Sequence, residues 1–317
     1  MNNQSRVKAV LFPVLSALIG VFAALVILEA VVRIFPVYSG LYAMPVNARQ
    51  TVLRFVPNSA FTYSRGWNFR GVNTGRINNY GFINDQDYEP AAVTPLAAVI
   101  GDIYVEAAML QFAKTLHGRL AESVRGRGRV YSFGFSGAPL SQYLAWAPWV
   151  KETFHPDLLV VAIIGNDFHE SLLRYKSAPG YHYFDDSRQG MPLVLVDMGP
   201  GLFRGAIRLG KISLLYSYVM QNLEIAGIVQ RFLSPNNIEY VGNAPAIVEP
   251  ERVERSKRAV DVFLDRLPSA SDVPAGKTIF VVDGARPHLY SDDGLRKAQG
   301  SYFGVMRSYF IAQATQR

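Results

Sequence analysis

Three short runs hold the residues whose types and spacing could do chemistry. In the first, Val99-Ile100-Gly101-Asp102-Ile103-Tyr104-Val105-Glu106-Ala107 reads as a buried strand, a tight Gly-Asp turn and the start of a helix. Hydrolytic α/β enzymes often place a nucleophile at such a strand-to-helix turn. Here the residue that follows Asp102 is Ile103. Its alkyl side chain has no lone pair to donate and no proton to lose, which excludes covalent catalysis at that position. The second run is Ser132-Phe133-Gly134-Phe135-Ser136-Gly137, where glycine permits close backbone approach and can leave an amide facing an oxyanion. The third is Gly165-Asn166-Asp167-Phe168, which puts the Asn166 side-chain amide, a ready donor, at the end of an apolar strand. Taken singly, such turns are ordinary turn chemistry.

The elements around these turns give them a common location. Residues 97–100, 130–133 and 158–164 are apolar runs of strand length, and 278–283 is a fourth. Helical patterns at 105–124, 140–154, 251–267 and from about 301 onward separate or follow them. Continuous apolar strands alternating with helices predict a three-layer α/β domain with a parallel sheet in flavodoxin-like order. All three turns then fall on the edge outside the carboxyl ends of the strands, where ligands bind. Between about 171 and 250 the alternation lapses into aromatic-rich loops and one long apolar helix candidate at 203–232, read as a lid or insertion. Gln221, Asn222 and Glu224 within it argue against a second membrane span.

The remaining chemistry-bearing residues have plainer readings. His117 lies in a helix, His155 at a helix end, and His169 and His182 flank the insertion; of these, His169 is placed to line a pocket beside the Asn166-Asp167 turn. No set of His, Asp and Glu has metal-ligand spacing, and neither metal nor cofactor is expected. Trp146 and Trp149 read as core, and Tyr175, Tyr181, Tyr183 and Phe184 as exposed loop; the alternative is a platform on which sugar rings stack, with Trp149 and Tyr181 as its candidates.

The chain has 317 residues, half of them hydrophobic, a net charge of +7 and no cysteine. That suits one large domain or two smaller ones. It removes disulfides and thiol chemistry, and the charge is not gathered into a basic run, which disfavours nucleic acid as a partner. From Ala9 to Leu28 there are twenty residues without a charge, enough at about 1.5 Å each to span a hydrocarbon core of about 30 Å. A cleaved signal peptide is the rival reading, but no small-x-small site follows Leu28, so an uncleaved anchor is expected. Arg6 and Lys8 favour a cytoplasmic N-terminus, with the domain facing the periplasm or exterior and Tyr38 and Tyr42 at the outer interface. The expected layout is a tail and transmembrane anchor over 1–36, a loop-and-hairpin stalk over 37–96, and the α/β domain over 97–317.

The three turns, in this order over roughly residues 97–170, resemble the first three signature blocks of the SGNH (GDSL) hydrolase family, including its membrane-anchored bacterial members. The resemblance implies that Ile103 sits in the nucleophile position and that Gly137 and Asn166 match the oxyanion-hole positions, with Gly101, Asp102 and Asp167 in support. The family's closing Asp-x-x-His block has no counterpart after residue 170; Asp283 and His288 are the nearest residues and are wrongly spaced. One further strand and the Asp-His loop are expected beyond Arg317. Two functions follow from the resemblance. One is an esterase, or an O-acetyl hydrolase or transferase, of extracytoplasmic glycan esters, impaired in this chain at Ile103. The other is a non-catalytic module that binds glycan or a partner of a cell-surface polysaccharide system.

Overall fold

The computed structural model describes residues 3–198, 205, 209–233, 238–284 and 290–317. Its centre is a four-stranded parallel sheet built from β3 (Leu96–Gly101), β4 (Arg129–Gly134), β5 (Leu158–Ile163) and β10 (Thr278–Val282), in the order β10-β5-β3-β4. Numbered along the chain these four strands run 2-1-3-4 from one edge, the flavodoxin-like order expected from the sequence. Gly101 is level with Gly134, and Ile100 with both Phe133 and Val161, so the three site-bearing strands end together.

Helices cover both faces, which is why the inner strands are apolar without alternation. On one face lie α4 (Leu140–Phe154), α8 (Pro250–Ser271) and α10 (Tyr302–Gln316), enclosing Ile100, Phe133, Val161, Ile163, Phe263 and Phe310. On the other, α3 (Leu116–Ser123) packs Leu116 and Leu120 over Val99, Val130 and Val160. Local chemistry sets the helix ends. The left-handed backbone of His155 closes α4 after Phe154, and Asp272 closes α8 in the same way. The Ser301 hydroxyl caps α10 by accepting from Gly304 N at 3.2 Å.

Two expectations are corrected. The pattern at 105–124 is not one helix. It divides into α2 (Ile103–Glu106), a 3₁₀ turn (Phe112–Lys114) and α3, because Ala107 takes a left-handed conformation that ends α2 and Thr115 caps a new start. Nor is 37–96 a stalk. The hairpin of β1 (Ser59–Arg65) and β2 (Arg70–Ile77) and its flanking loops bury Val46, Leu53, Phe82 and Tyr88 in the main core. Trp146 Nε1 of α4 donates to the Leu53 carbonyl at 3.0 Å, and the Tyr88 hydroxyl donates to the Ser132 carbonyl at 2.7 Å. Short alternating segments with Asn and Gly looked exposed, yet their aromatic faces turn inward.

The 171–250 insertion holds two small hairpins, β6 (His182–Phe184) with β7 (Leu193–Leu195) and β8 (Tyr240–Val241) with β9 (Ala244–Pro245). The long helix candidate there is interrupted: α6 (Leu214–Ser217) runs into a π turn (Tyr218–Asn222) before α7 (Ile225–Leu233), while much of 199–208 lies outside the described residues. At the N-terminus α1 (Asn3–Val32) carries an apolar stretch, Leu11–Val32, long enough to cross a membrane, with mean hydropathy 2.7 and side chains exposed from Leu11 to Leu28. α9 (Asp292–Gly300), capped by Ser291, was not foreseen.

Candidate functional site

The ends of β3, β4 and β5 and the turns that follow them form one polar edge. The first turn is tight because α2 presses against the sheet. A Cβ on Gly134 would lie 2.4 Å from the Glu106 amide nitrogen, and one on Gly101 would lie 2.5 Å from a Val105 methyl. Glycine at both positions therefore lets α2 start directly at the strand ends. Asp102 caps α2, accepting from Tyr104 N at 3.0 Å, and Ile103 follows as its first residue, half-buried.

Glu106 sits one turn further along α2 and is buried, its Oε2 accepting from the Ser136 amide at 2.5 Å. Burial pushes its carboxyl up to about 7, with the neighbouring Asp102 adding to the shift. Burial likewise raises Asp102 to about 6 against the amides that favour its anion. Asp167, the first residue of α5 (Asp167–Glu170), is fully enclosed. Its Oδ2 accepts from the Tyr143 hydroxyl at 3.0 Å and from Ile164 N at 2.9 Å, yet desolvation and then the Asp102 charge drive its carboxyl well above the ordinary range.

Asn166 and Gly137 are brought together through a third party. The Asn166 amide donates to Glu170 Oε2 at 3.0 Å, and Lys176 Nζ donates to that same oxygen at 2.5 Å and to the Gly137 carbonyl at 2.9 Å. Gly137 takes φ +77°, a conformation that glycine adopts without strain, and a Cβ there would approach Lys176 Nζ at 3.3 Å. Tyr181 closes the group: its hydroxyl donates to the Ser136 carbonyl at 2.7 Å, and its ring lies 5.8 Å from the Lys176 ammonium. The next residue, His182, is tied to α4, accepting on its carbonyl from Ser141 Oγ at 2.8 Å and donating its amide to Gln142 Oε1 at 2.9 Å.

His169 is buried with its Nδ1 unpartnered, its ring edge-on to Tyr302 at 5.4 Å. Burial lowers it to about 4, so the ring is neutral near pH 7. Among the described residues no histidine ring is hydrogen-bonded to a serine hydroxyl at this edge. His288, the other histidine considered with Asp283, lies outside the described residues. Trp149 is apart from the group, among Tyr80, Phe82, Phe133 and Phe154. No group of three metal-ligating side chains occurs among the described residues.

Next to the turn of β4 a cavity of about 340 Å³ opens, lined by Tyr38, Tyr42, Phe135, Tyr181, Met198 and Tyr216 among others. Tyr42, half-buried, donates its hydroxyl to the Gly210 carbonyl at 2.8 Å. Sequence reasoning missed Glu106, Glu170 and Lys176. The first two stand four residues after Asp102 and Asn166, a helical spacing that would have pointed to them. Nothing local marks Lys176.

Fold and edge together describe an α/β domain with a flavodoxin-like parallel sheet and a polar edge at its strand ends. No family model matches the chain and no curated protein matches it. Among solved structures it is similar to a point mutant of the esterase AlinE4 (13% identity, 71% of this chain and 82% of that one, TM-score 0.31). It is also similar to AlinE4 itself, described as an SGNH-hydrolase family esterase (14%, 66% and 92%, TM-score 0.29), and to TesA (14%, 69% and 97%, TM-score 0.26).

Proposed function

We propose that this chain is a membrane-anchored relative of SGNH-type ester hydrolases whose strand-end edge holds a ligand instead of cleaving one. The observation that carries the reading is the occupant of the first turn. Ile103 offers no nucleophile, and the Asn166 side-chain amide, at one of the two positions matched to an oxyanion hole, already donates to Glu170, which Lys176 holds. An oxyanion hole accelerates acyl transfer only when its donors are free to meet the developing charge.

In this reading α1 crosses the cytoplasmic membrane once, the domain faces the periplasm or exterior, and the natural ligand is an O-acylated surface glycan. The tyrosine-lined cavity beside Tyr181 suits such a ligand, because aromatic rings stack on sugar faces while phenol hydroxyls hydrogen-bond. The esterase reading remains the competitor and makes a different prediction. The test is acetate release from an O-acetylated polysaccharide and from p-nitrophenyl acetate by the full chain in detergent, alongside binding of the same polysaccharide. Binding weakened by Tyr181→Ala with no release above buffer supports the proposal; turnover abolished by Asn166→Ala overturns it.

A further inference from the structure

We infer that the segment 209–229, together with the tip of the β1–β2 hairpin, is a second membrane contact that lies in the lipid interface beside the exit of α1. The inference rests on the anchor reading above and goes beyond it: the domain is laid against the bilayer, and does not hang from a flexible tether.

The height of this segment relative to the bilayer is set by Glu29, the first charged residue after the apolar run. Its carboxylate accepts from Ser213 Oγ at 2.8 Å, Leu214 N at 3.1 Å and Leu215 N at 3.0 Å, so it caps α6 from across 184 residues or more of chain. One turn on, Arg33 pairs with Glu29 at 2.8 Å and donates to the Ile212 carbonyl at 3.3 Å. Residues 212–215 therefore stand level with the last turn of α1, where the hydrocarbon meets the headgroups.

Buried Asn222 locks the arrangement. Its Oδ1 accepts from Tyr38 N at 3.0 Å, its amide donates to Ser64 Oγ at 2.8 Å, and its carbonyl accepts from Gly66 N at 3.0 Å. One side chain thus joins the exit of α1, the hairpin and the insertion. The hairpin tip is held alongside, with Phe69 stacked on Phe35 at 5.3 Å and the Tyr218 hydroxyl donating to the Trp67 carbonyl at 3.1 Å.

What this frame presents outward is apolar. Trp67 is 72% exposed and Ile212 64%, with Leu209 exposed beside them. Along α7, Ile225, Ile228 and Val229 recur at helical spacing and are all exposed. A soluble domain turns such a stripe inward, whereas a helix lying in the membrane surface sets it into the acyl boundary. Tryptophan is enriched at the same level. The carboxylates in the patch are neutralised, Glu29 by Arg33 and Glu224 by Arg65. The occupant that fits is a phospholipid bilayer, continuous with the lipid that surrounds α1.

The chain lacks cysteine, so one introduced thiol reports one place. Full-length protein with Ile228→Cys carries an environment-sensitive NBD label and is reconstituted into phosphatidylcholine–phosphatidylglycerol vesicles. The control is Val93→Cys, at a residue 99% exposed in the loop before β3. The expected result is blue-shifted emission at 228, quenched roughly two-fold or more by lipids brominated on the acyl chains, as burial of an apolar face into the headgroup–acyl boundary requires, with aqueous, unquenched emission at 93. Emission at 228 as aqueous as at 93, in protein that floats with the vesicles and resists alkaline extraction, overturns the inference and leaves the anchor standing. Protein that alkaline extraction strips from the vesicles overturns both.

Discussion

Lys176 donates to the carbonyl oxygen of Gly137 at 2.9 Å, joining the turn after β4 to a loop 39 residues further along the chain. The same ammonium holds Glu170, and Glu170 holds the Asn166 amide. Each member is three-quarters buried or nearly so, and the pair is therefore worth more than a surface ion pair. A double-mutant cycle with Lys176→Met and Glu170→Gln, read by urea unfolding of the solubilised chain, gives a coupling of about 1–2 kcal/mol. Additive effects would mean that the pair does not organise the edge.

Glu106 predicts a pH dependence of definite sign. Its carboxyl rises from 4.5 to about 7 on folding, so between those values the folded state binds more protons than the unfolded one, and its contribution to stability falls as pH rises. Glu106→Gln keeps an oxygen for the Ser136 amide and removes the titration. The variant matches the parent near pH 4.5 and becomes the more stable of the two toward pH 8, by roughly 1–3 kcal/mol. A melting-temperature difference that stays constant with pH contradicts the assignment.

The histidines run the other way. His169 is lowered from 6.5 to about 4, so it is neutral when folded, and the stability it contributes is present above pH 6.5 and lost as pH falls toward 4. His169→Phe flattens the acid limb of the stability profile between these values; an unchanged acid limb counts against burial of a neutral ring.

Trp146→Phe tests whether residues 37–96 belong to the core. The substitution keeps most of the apolar contact and leaves the Leu53 carbonyl without its donor, at a cost of about 1–3 kcal/mol. Proteolysis of the 37–96 region should accelerate in parallel with that loss. Unfolding unaffected by the change would restore the picture of an independent stalk.

Much of the sheet was legible because its inner strands are buried on both faces and written as plain apolar runs. Residues 158–164 needed no context, and α4 was bounded by Pro139 and His155. The three turns could be placed on one edge because strand-helix alternation fixes their direction. What escaped depends on distance. Lys176 reaches its partners across 39 residues in one case, and no local pattern announces a cation there. The break at Ala107 hides within a run of good helix formers, and the burial of Leu53 and Tyr88 comes from partners about ninety and forty-four residues away. The apolar stripe of α7 was visible as composition, while its exposure came only with the fold.

The most direct test of a binding edge is covalent. Full-length protein in detergent is incubated with a fluorophosphonate that phosphorylates activated serines, and the intact mass is measured. With Ile103 in the turn and no serine hydroxyl hydrogen-bonded to a histidine ring among the described residues, the mass stays that of the unmodified chain. A stoichiometric adduct, mapped to Ser136 or any other serine of this edge, would contradict the claim and return the protein to the hydrolases.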